Sequence, residues 1–336
     1  MGTSSSKSSS ASLSPPLLDR KVTTVGGDGE ASCRLTVLQW NVLAQAVCYK
    51  EDNFVECEEE HLTLEYRFPL VVAEILRCNP DVICLEEVDF FERLEESLGK
   101  EGFEGAFHPK LADKPEGPQR DGTAIFWKTS RLCLAVEGET KRGGVQRMRF
   151  SKEGEVACGA GGEAEREGKA ATQGFLEVHL KGKDSDVPPL MVIATHLRAK
   201  EEHEVTRVVQ VKQLIDHLKK VNPKRCFVCG DFNAPPESSS GSALGAEGQA
   251  EEGGGVLPLA SLLTKDTAEA LTYTTWKIRP KGEVKRVIDY IWYTGATLRP
   301  LSVLGVPTAE TVPKCRFPHA GYPSDHLAVV AEFGVS

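Results

Sequence analysis

The sequence has no apolar run close to 18 residues, which argues against a helical membrane span. It also has no excess of basic charge. Lys and Arg number 40 against 49 Asp and Glu, giving a formal net charge of −9. Long, indiscriminate contact with a phosphate backbone needs many Lys and Arg on one face, so it is not expected, although a local basic funnel is compatible with this balance. There is no secretory h-region and no internal repeat. The ten cysteines are scattered, mostly among apolar residues, and do not form a disulfide framework; free thiols in a reducing compartment are the simpler reading. One pair has C-x-x-C spacing, Cys226 and Cys229, but it lies in an apolar run that reads as a strand. Residues i and i+3 of a strand point to opposite faces, so this pair is assigned to core packing and not to a shared metal.

What is present is enough apolar material for a sizeable core: 40% of 336 residues, in one large domain or two small ones. Residues 1–32 are Ser-, Gly- and Pro-rich and read as a disordered tail, with the catalytic domain expected over 33–336. Met1-Gly2-Thr3-Ser4-Ser5-Ser6 fits the pattern for N-myristoylation at Gly2, set against a plain flexible tail that begins with glycine. One acyl chain gives only marginal membrane association, and no basic cluster lies nearby as a second signal. The expected location is therefore cytoplasmic, with membrane association through Gly2 as its variant. A Ser-rich start also resembles an organelle transit peptide, but Arg is scarce before residue 20.

Leu35 to Trp40, Asp81 to Leu85, Thr123 to Trp127, Leu190 to Thr195 and Cys226 to Cys229 read as strands, as do Val287 to Tyr293 and Leu327 to Phe333. Helical spacing runs from about His61 to Cys78, with Pro69 as a kink or restart, and Phe90 to Leu98 also reads as helix. A third helix is expected from about Val205 to Val221, with Val208, Val211, Leu214, Ile215 and Leu218 as its apolar face. Stretches 152–171 and 237–256 are rich in Gly, Ala and Glu without periodicity and read as low-complexity surface insertions. The pattern suggests an α/β fold of two packed sheets flanked by helices.

Acidic and amide residues fall repeatedly beside strand ends. Asn41 follows Trp40, Glu86 and Glu87 follow Leu85, His196 follows Thr195, and Asp231 and Asn233 follow Gly230. Asp289 sits inside an apolar strand, and Asp325 and His326 precede the last one. Such charges are costly unless they are paired or bind a cation. Carboxylates and amides without thiolate suit a hard cation, Mg²⁺ or Mn²⁺, and with two histidines they suit water attack on phosphorus. Singly, each has an ordinary explanation: Asn41 as a turn residue, Glu86 and Glu87 as a helix start, Asp325 as a cap, the histidines as structural groups. Asp289 is hardest to dismiss in this way.

In order along the chain stand Trp40-Asn41, Cys84-Leu85-Glu86-Glu87-Val88, Thr195-His196-Leu197, Gly230-Asp231-Phe232-Asn233, Ile288-Asp289-Tyr290-Ile291 and Ser324-Asp325-His326. This succession resembles the endonuclease/exonuclease/phosphatase superfamily from about residue 34 onward. Finer matches are Gln39 to Gln45, Tyr273 to Arg279 and Tyr322 to Leu327. They are most similar to the nocturnins and the carbon-catabolite-repression deadenylases. The resemblance implies a DNase I-like, four-layer αββα sandwich and a Mg²⁺-dependent phosphoesterase. It implies Glu87 as main metal ligand assisted by Asn41, with Asp325 supporting the metal region. Asp231 would activate water, Asn233 hold the phosphate, His326 contact it under orientation by Asp289, and His196 stabilise the transition state or act as an acid. Lys110, Arg198, Lys200 and Arg279 match positions that hold substrate phosphates. Two departures stand out: Glu86 occupies a position usually held by Gln, and Arg198 and Lys200 look exchanged in type, which matters because Arg and Lys are not equivalent at a bidentate phosphate site.

Two enzymatic readings share this chemistry: a 3′→5′ exoribonuclease that trims the poly(A) 3′ end of RNA, and a phosphatase that removes the 2′-phosphate of NADP(H). A third, an inactive scaffold of the same fold, is disfavoured because Glu87, Asp231, Asn233, Asp289 and His326 are all present. Other superfamily phosphatase activities are disfavoured by the Thr275-Trp276-Lys277-Ile278-Arg279 segment. A monomer is expected.

Overall fold

A computed structural model of the chain describes residues 17–25, 33–51, 53–111, 121–138, 143–152, 157–158, 170–184, 186–246 and 259–336. Gly2 and most of the two low-complexity stretches lie outside the described residues.

In chain order the strands and α-helices are β1 (Val22–Thr24), β2 (Cys33–Asn41), α1 (Leu64–Arg77), β3 (Val82–Val88), α2 (Phe91–Lys100), β4 (Phe103–Pro109), β5 (Gly122–Lys128) and β6 (Leu132–Leu134). There follow β7 (Val145–Ser151), β8 (Ala157–Cys158), β9 (Ala170–Gly182), β10 (Leu190–His196), α3 (Glu204–Val221), β11 (Cys226–Asp231) and α4 (Ser239–Ala246). The chain ends with β12 (Leu259–Ser261), β13 (Thr275–Arg279), β14 (Gly282–Arg286), β15 (Asp289–Thr294), β16 (Leu298–Leu304) and β17 (Val329–Val335).

Two sheets form the centre. One runs β1-β16-β17-β2-β3-β5-β4; the other runs β12-β15-β11-β10-β9-β7-β8, with β6 also on β9. Alternation along each strand divides its side chains between two cores. Val37, Cys84, Ile125, Val192, Phe227, Ile291 and Phe333 meet between the sheets. Leu38, Trp40, Ile83 and Leu85 face outward, against Val71 and Ile75 of α1 and Leu94 and Leu98 of α2. Met191, Ile193, Cys226 and Val228 face outward on the second sheet, against Val211, Leu214 and Leu218 of α3. The result is the four-layer α/β sandwich expected from the sequence. Each buried aliphatic or aromatic side chain contributes about 1.5–3 kcal/mol on transfer from water. Cys226 and Cys229 fall in different cores, on opposite faces of β11.

Several local expectations are corrected. The tail is not featureless over 1–32: Leu18 and Arg20 are buried and β1 pairs antiparallel with β16, so the domain begins before residue 33. The first helix starts at Leu64, capped by the Thr63 side chain, and Pro69 lies inside it without ending it. Ser239–Ala246, within the second low-complexity stretch, is helical and packs Leu244 on the outer core. On α3, Val208 is exposed alongside Val205 and Val209, while Arg207, Gln210, Gln213 and His217 are buried with Val211 and Leu214. These polar groups are engaged beneath the helix: Gln213 bridges Ser151 through both its amide oxygen and nitrogen, and His217 meets Glu177. Periodicity marks which face is apolar, and hydrogen bonding can reassign it.

Candidate active site

The inner face of each central strand is apolar until its last turn of the pleat, where it becomes polar. On β2, Cys33, Leu35 and Val37 are followed on that face by Gln39 and Asn41; on β3, Val82 and Cys84 are followed by Glu86. On β10, Val192 and Ala194 are followed by His196, and on β11 Phe227 and Cys229 are followed by Asp231. β15 runs the other way and begins with Asp289. The registers bring these positions to one edge: Asn41 beside Glu86, His196 beside Asp231, Asp231 beside Asp289. The loop before β17 adds Asp325 and His326. One end of the inter-sheet core is therefore a layer of carboxylates, amides and imidazoles.

At its centre, His326 Nδ1 lies 2.9 Å and 3.2 Å from the two carboxylate oxygens of Asp289. Thr274 Oγ1 donates to Asp289 Oδ2 at 2.6 Å. The other imidazole nitrogen, Nε2, faces Asp231 Oδ2 at 3.9 Å and Asp325 Oδ2 at 4.0 Å. Asp231 is held by Asn41 Nδ2, at 3.1 Å, and by the Asn233 N–H, at 2.8 Å. His196 Nε2 approaches Asp231 Oδ2 at 3.7 Å, while its Nδ1 contacts Lys110 Nζ at 3.2 Å. Lysine can only donate, so Nδ1 accepts and Nε2 carries the proton on the side of Asp231. Glu87 stands apart, its Oε2 accepting from the Ala44 N–H at 3.1 Å.

Four non-glycine residues here have left-handed backbones: Leu43 at φ 63°, Glu87 at 56°, Lys200 at 76° and Asn233 at 51°. Such conformations are disfavoured for side-chain-bearing residues and gather where a scaffold must aim a group. At Glu87 the cause is local: the β3–β5 register breaks between Leu85 and Val88, so Glu86 continues the inner face and Glu87 turns out of it.

Charge is unevenly balanced. Burial and the adjacent Asp289 carboxylate push Asp231 up to about 7. Burial opposes a charged imidazole at His326, but Asp289, Asp325 and Asp231 outweigh it and raise it to about 9. Burial, Lys110 and His326 drive His196 well below the usual imidazole range, so it is neutral. Burial would raise Asp325, but Lys277, His326 and Arg279 hold it well below the usual carboxylate range. Burial, with Asp289 and Asp231, lifts Glu86 well above it. Glu86 accepts from Gln39 Nε2 at 2.8 Å, yet its Oε1, Gln39 Oε1 and Asp325 Oδ1 are buried without a partner. The orphaned atoms are all acceptors in an acid-rich layer, which fits a hard cation.

Asp231, Asp289 and His326 offer ligand atoms within 4.8 Å of one another and could hold a metal. His326 is the weakest of the three as a ligand, because its Nδ1 is committed to Asp289 and the ring is cationic. Oxygen donors suit a hard divalent ion better than a cationic imidazole does.

The mouth carries the expected basic residues. Lys110 is ion-paired with Asp121. Arg279 lies over the Phe54 ring at 4.8 Å, bonds Asn53 and sits 3.8 Å from Asp325. Arg198 and Lys200 are exposed, and their carbonyls both accept from buried Arg207. All twelve candidate site residues on described segments therefore lie on this rim or at its mouth. Four others escaped the sequence reading. Lys277 is ion-paired with Asp325, and Asp121 with Lys110, while Thr274 and Gln39 hold Asp289 and Glu86. Gln39 and Lys277 were detectable in principle, being two residues from Asn41 and Arg279 on the same strand face.

The sandwich has counterparts. A family model for the Endonuclease/Exonuclease/phosphatase family matches residues 38–326, and the chain belongs to that family. It is accordingly a hydrolase of phosphoester type, in a family that generally depends on divalent metal. The chain is 33% identical to nocturnin of Xenopus laevis over 308 residues, which cover 88% of this chain and 71% of the frog protein. It spans 65% of human nocturnin. The Ccr4 3′-5′-exoribonuclease subunit of the CCR4-Not complex from Aspergillus niger is 24% identical, with 93% of this chain and 53% of that one covered. The human nocturnin catalytic domain with a bound sulfate anion superposes with a TM-score of 0.66 at 26% identity, covering 94% of this chain and 98% of that one.

Proposed function

We propose that this protein hydrolyses the phosphomonoester of a small adenine nucleotide, the 2′-phosphate of NADP(H) being the substrate that fits best. The observation carrying this reading is the charge pairing at the mouth. Among the described residues, Lys110 is matched by Asp121, Lys277 and Arg279 by Asp325, Arg286 by Glu201 at 2.5 Å, and Arg316 by Glu283 at 2.6 Å. A polyanion gains affinity from several phosphate contacts on cations that carry net positive charge. Lys110 is balanced and Asp325 is shared by Lys277 and Arg279, so few cations besides exposed Arg198 and Lys200 are left to meet phosphates; on a chain of net charge −9 this favours a ligand with few of them. The sulfate bound in the human nocturnin catalytic domain supports a site that takes a single tetrahedral oxyanion.

In this mechanism Glu87 and Asn41 would hold a Mg²⁺ or Mn²⁺ ion, with Asp325 supporting them, and such an ion would supply polarisation of a phosphoryl oxygen. Asp231, fixed by Asn41 and Asn233 and poised near neutrality, takes a proton from the attacking water. His326, kept cationic and oriented by Asp289, donates from Nε2 to a phosphoryl oxygen. Neutral His196 presents its Nε2–H to the developing charge or the leaving oxygen. Asn233, Lys110, Arg198, Lys200 and Arg279 orient the remaining phosphate oxygens. Myristoylation at Gly2 would hold the enzyme weakly at a membrane without requiring a lipid substrate.

The second reading, 3′→5′ trimming of poly(A), is favoured by the likeness to the Ccr4 exoribonuclease. Phosphate release from NADP⁺ and NADPH, run beside trimming of labelled oligo(A) with Mg²⁺ and with EDTA, separates the two. Metal-dependent release of phosphate with intact oligo(A) is the expected result. Shortened oligo(A) with untouched NADP(H) overturns it in favour of the exoribonuclease.

A further inference from the structure

Three thiols gather beside the active-site mouth, outside the catalytic layer. Cys48 and Cys57 are buried in a small apolar cluster with Leu43, Phe54 and Leu62, and half-buried Cys315 packs against it. Cys57 Sγ lies 3.1 Å from the Pro318 carbonyl oxygen and 3.9 Å from that of Cys315. The Cys57 and Cys315 thiols pack together at the edge of this cluster, close enough that each shifts the other's ionisation. The two residues are 258 apart in sequence, so this contact joins separate segments. One is the loop after Asn41, whose Ala44 N–H bonds Glu87 and whose Asn53 and Phe54 seat Arg279. The other leads into Ser324, Asp325 and His326. Neither thiol has a part in phosphoester hydrolysis.

The thiols differ in a way that assigns roles. A thiol reacts as its thiolate and must be reached by the reagent. Cys315 is partly exposed, and the neighbouring Cys57 thiol brings it down to about 7. Burial raises Cys48 to about 12 and Cys78 to about 11, and lifts Cys84 and Cys226 well above the usual thiol range. Cys57 is 2% exposed and adjacent to Cys315, the position of a partner that closes a bond and does not meet solvent itself.

We propose that Cys315 and Cys57 are a peroxide-reactive dithiol, with Cys315 oxidised first and Cys57 resolving it into a disulfide. The Cys315 thiolate attacks one oxygen of a hydroperoxide. The S–O bond forms as the O–O bond breaks, sulfur gives up two electrons, and the departing alkoxide or hydroxide takes a proton. The Cys57 sulfur then attacks the sulfenic sulfur. The S–S bond forms, the S–O bond breaks, and hydroxide leaves with the Cys57 proton as water. Two thiols and one hydroperoxide thus give one disulfide, one alcohol or water, and one further water. The product ties the loop that seats Arg279 to the segment that carries Asp325 and His326.

The test uses the full reduced chain, treated with hydrogen peroxide at about one equivalent and mapped by mass spectrometry of non-reduced peptides. The expected product is a Cys57–Cys315 cross-linked peptide as the main species, reversed by dithiothreitol, with loss of both thiols in a thiol count. Cys315→Ser and Cys315→Ala, checked for native circular dichroism, should keep Cys57 as a free thiol at the same dose. A different cross-link, sulfinic acid at Cys315 with Cys57 still a thiol, or an unchanged thiol count would each overturn the proposal. The wild-type mapping decides the matter even if both variants misfold.

Discussion

His326 and Asp289 form a buried ion pair, 2.9 Å from Nδ1 to Oδ2, at the polar edge of the inter-sheet core. Asp289 holds the ring in one orientation and keeps Nε2 protonated toward Asp231. Asp289→Asn should preserve the shape, lower the His326 value from about 9 towards the ordinary 6.5, and reduce kcat by at least about 10²-fold. The sign for stability follows from linkage. The folded value lies above the unfolded one, so the stabilisation is complete below about 6.5 and is lost as pH rises through about 9. An NMR titration of His326 and melting curves across that range check both effects. An unchanged titration midpoint in Asp289→Asn would refute the pairing argument.

Asp231→Asn removes the group proposed to take the proton from water, and Glu87→Ala removes the main metal ligand. Each should leave a folded protein with kcat/KM reduced at least about 10²-fold. Steady-state phosphate release and circular dichroism test this. Near-normal turnover in either variant contradicts the assignment.

Glu86→Gln should stabilise the protein at neutral and alkaline pH. The Glu86 carboxyl is buried and raised above its ordinary value by burial, Asp289 and Asp231. Its favourable protonated state is present below the unfolded value and is lost as pH rises through the folded one. A glutamine amide has no such transition and adds N–H donors beside the orphaned Gln39 Oε1. The gain expected from replacing a buried carboxylate is about 1–3 kcal/mol. It should appear as a higher Tm whose margin over the parent grows with pH. An equal or lower Tm at pH 8 counts against it.

Arg67 lies fully buried on α1 and donates to the carbonyls of Val42, Leu43 and Pro323 and to Gln45 Oε1. It joins the loop after Asn41 to the loop before Asp325. Arg67→Met should destabilise the fold by about 3 kcal/mol, since three carbonyls lose a charged donor. Urea unfolding measures this, and a loss below about 1 kcal/mol would show that the loops hold without it.

Much of this arrangement was legible from residue order. Leu35 to Trp40 and Cys226 to Cys229 have the length and composition of strands, and the acidic residues follow them at fixed offsets, so the sandwich and the rim both left a trace. Asp121 left none, because its ion pair with Lys110 joins residues 11 apart across a loop and has no sequence period. Val208 misled for the opposite reason: its spacing is apolar, but the space beneath α3 is taken by hydrogen-bonded Gln213 and His217. The helix Ser239–Ala246 was hidden by its low-complexity composition, and β1 by its short length.

By itself the sequence determined which strands carry an apolar inner face and which residues end those faces, because alternation and burial cost act locally. It also determined the oxygen-rich chemistry of the site. The tertiary structure alone decided that Asn41, Glu86, His196, Asp231 and Asp289 share one edge, since parallel and antiparallel registers set that meeting. It decided that Glu86 points into the core while Glu87 turns out of it, through a break in pairing that composition does not record. It also decided the charge states, which depend on the approach of groups far apart in the chain, such as Glu86 and Asp289.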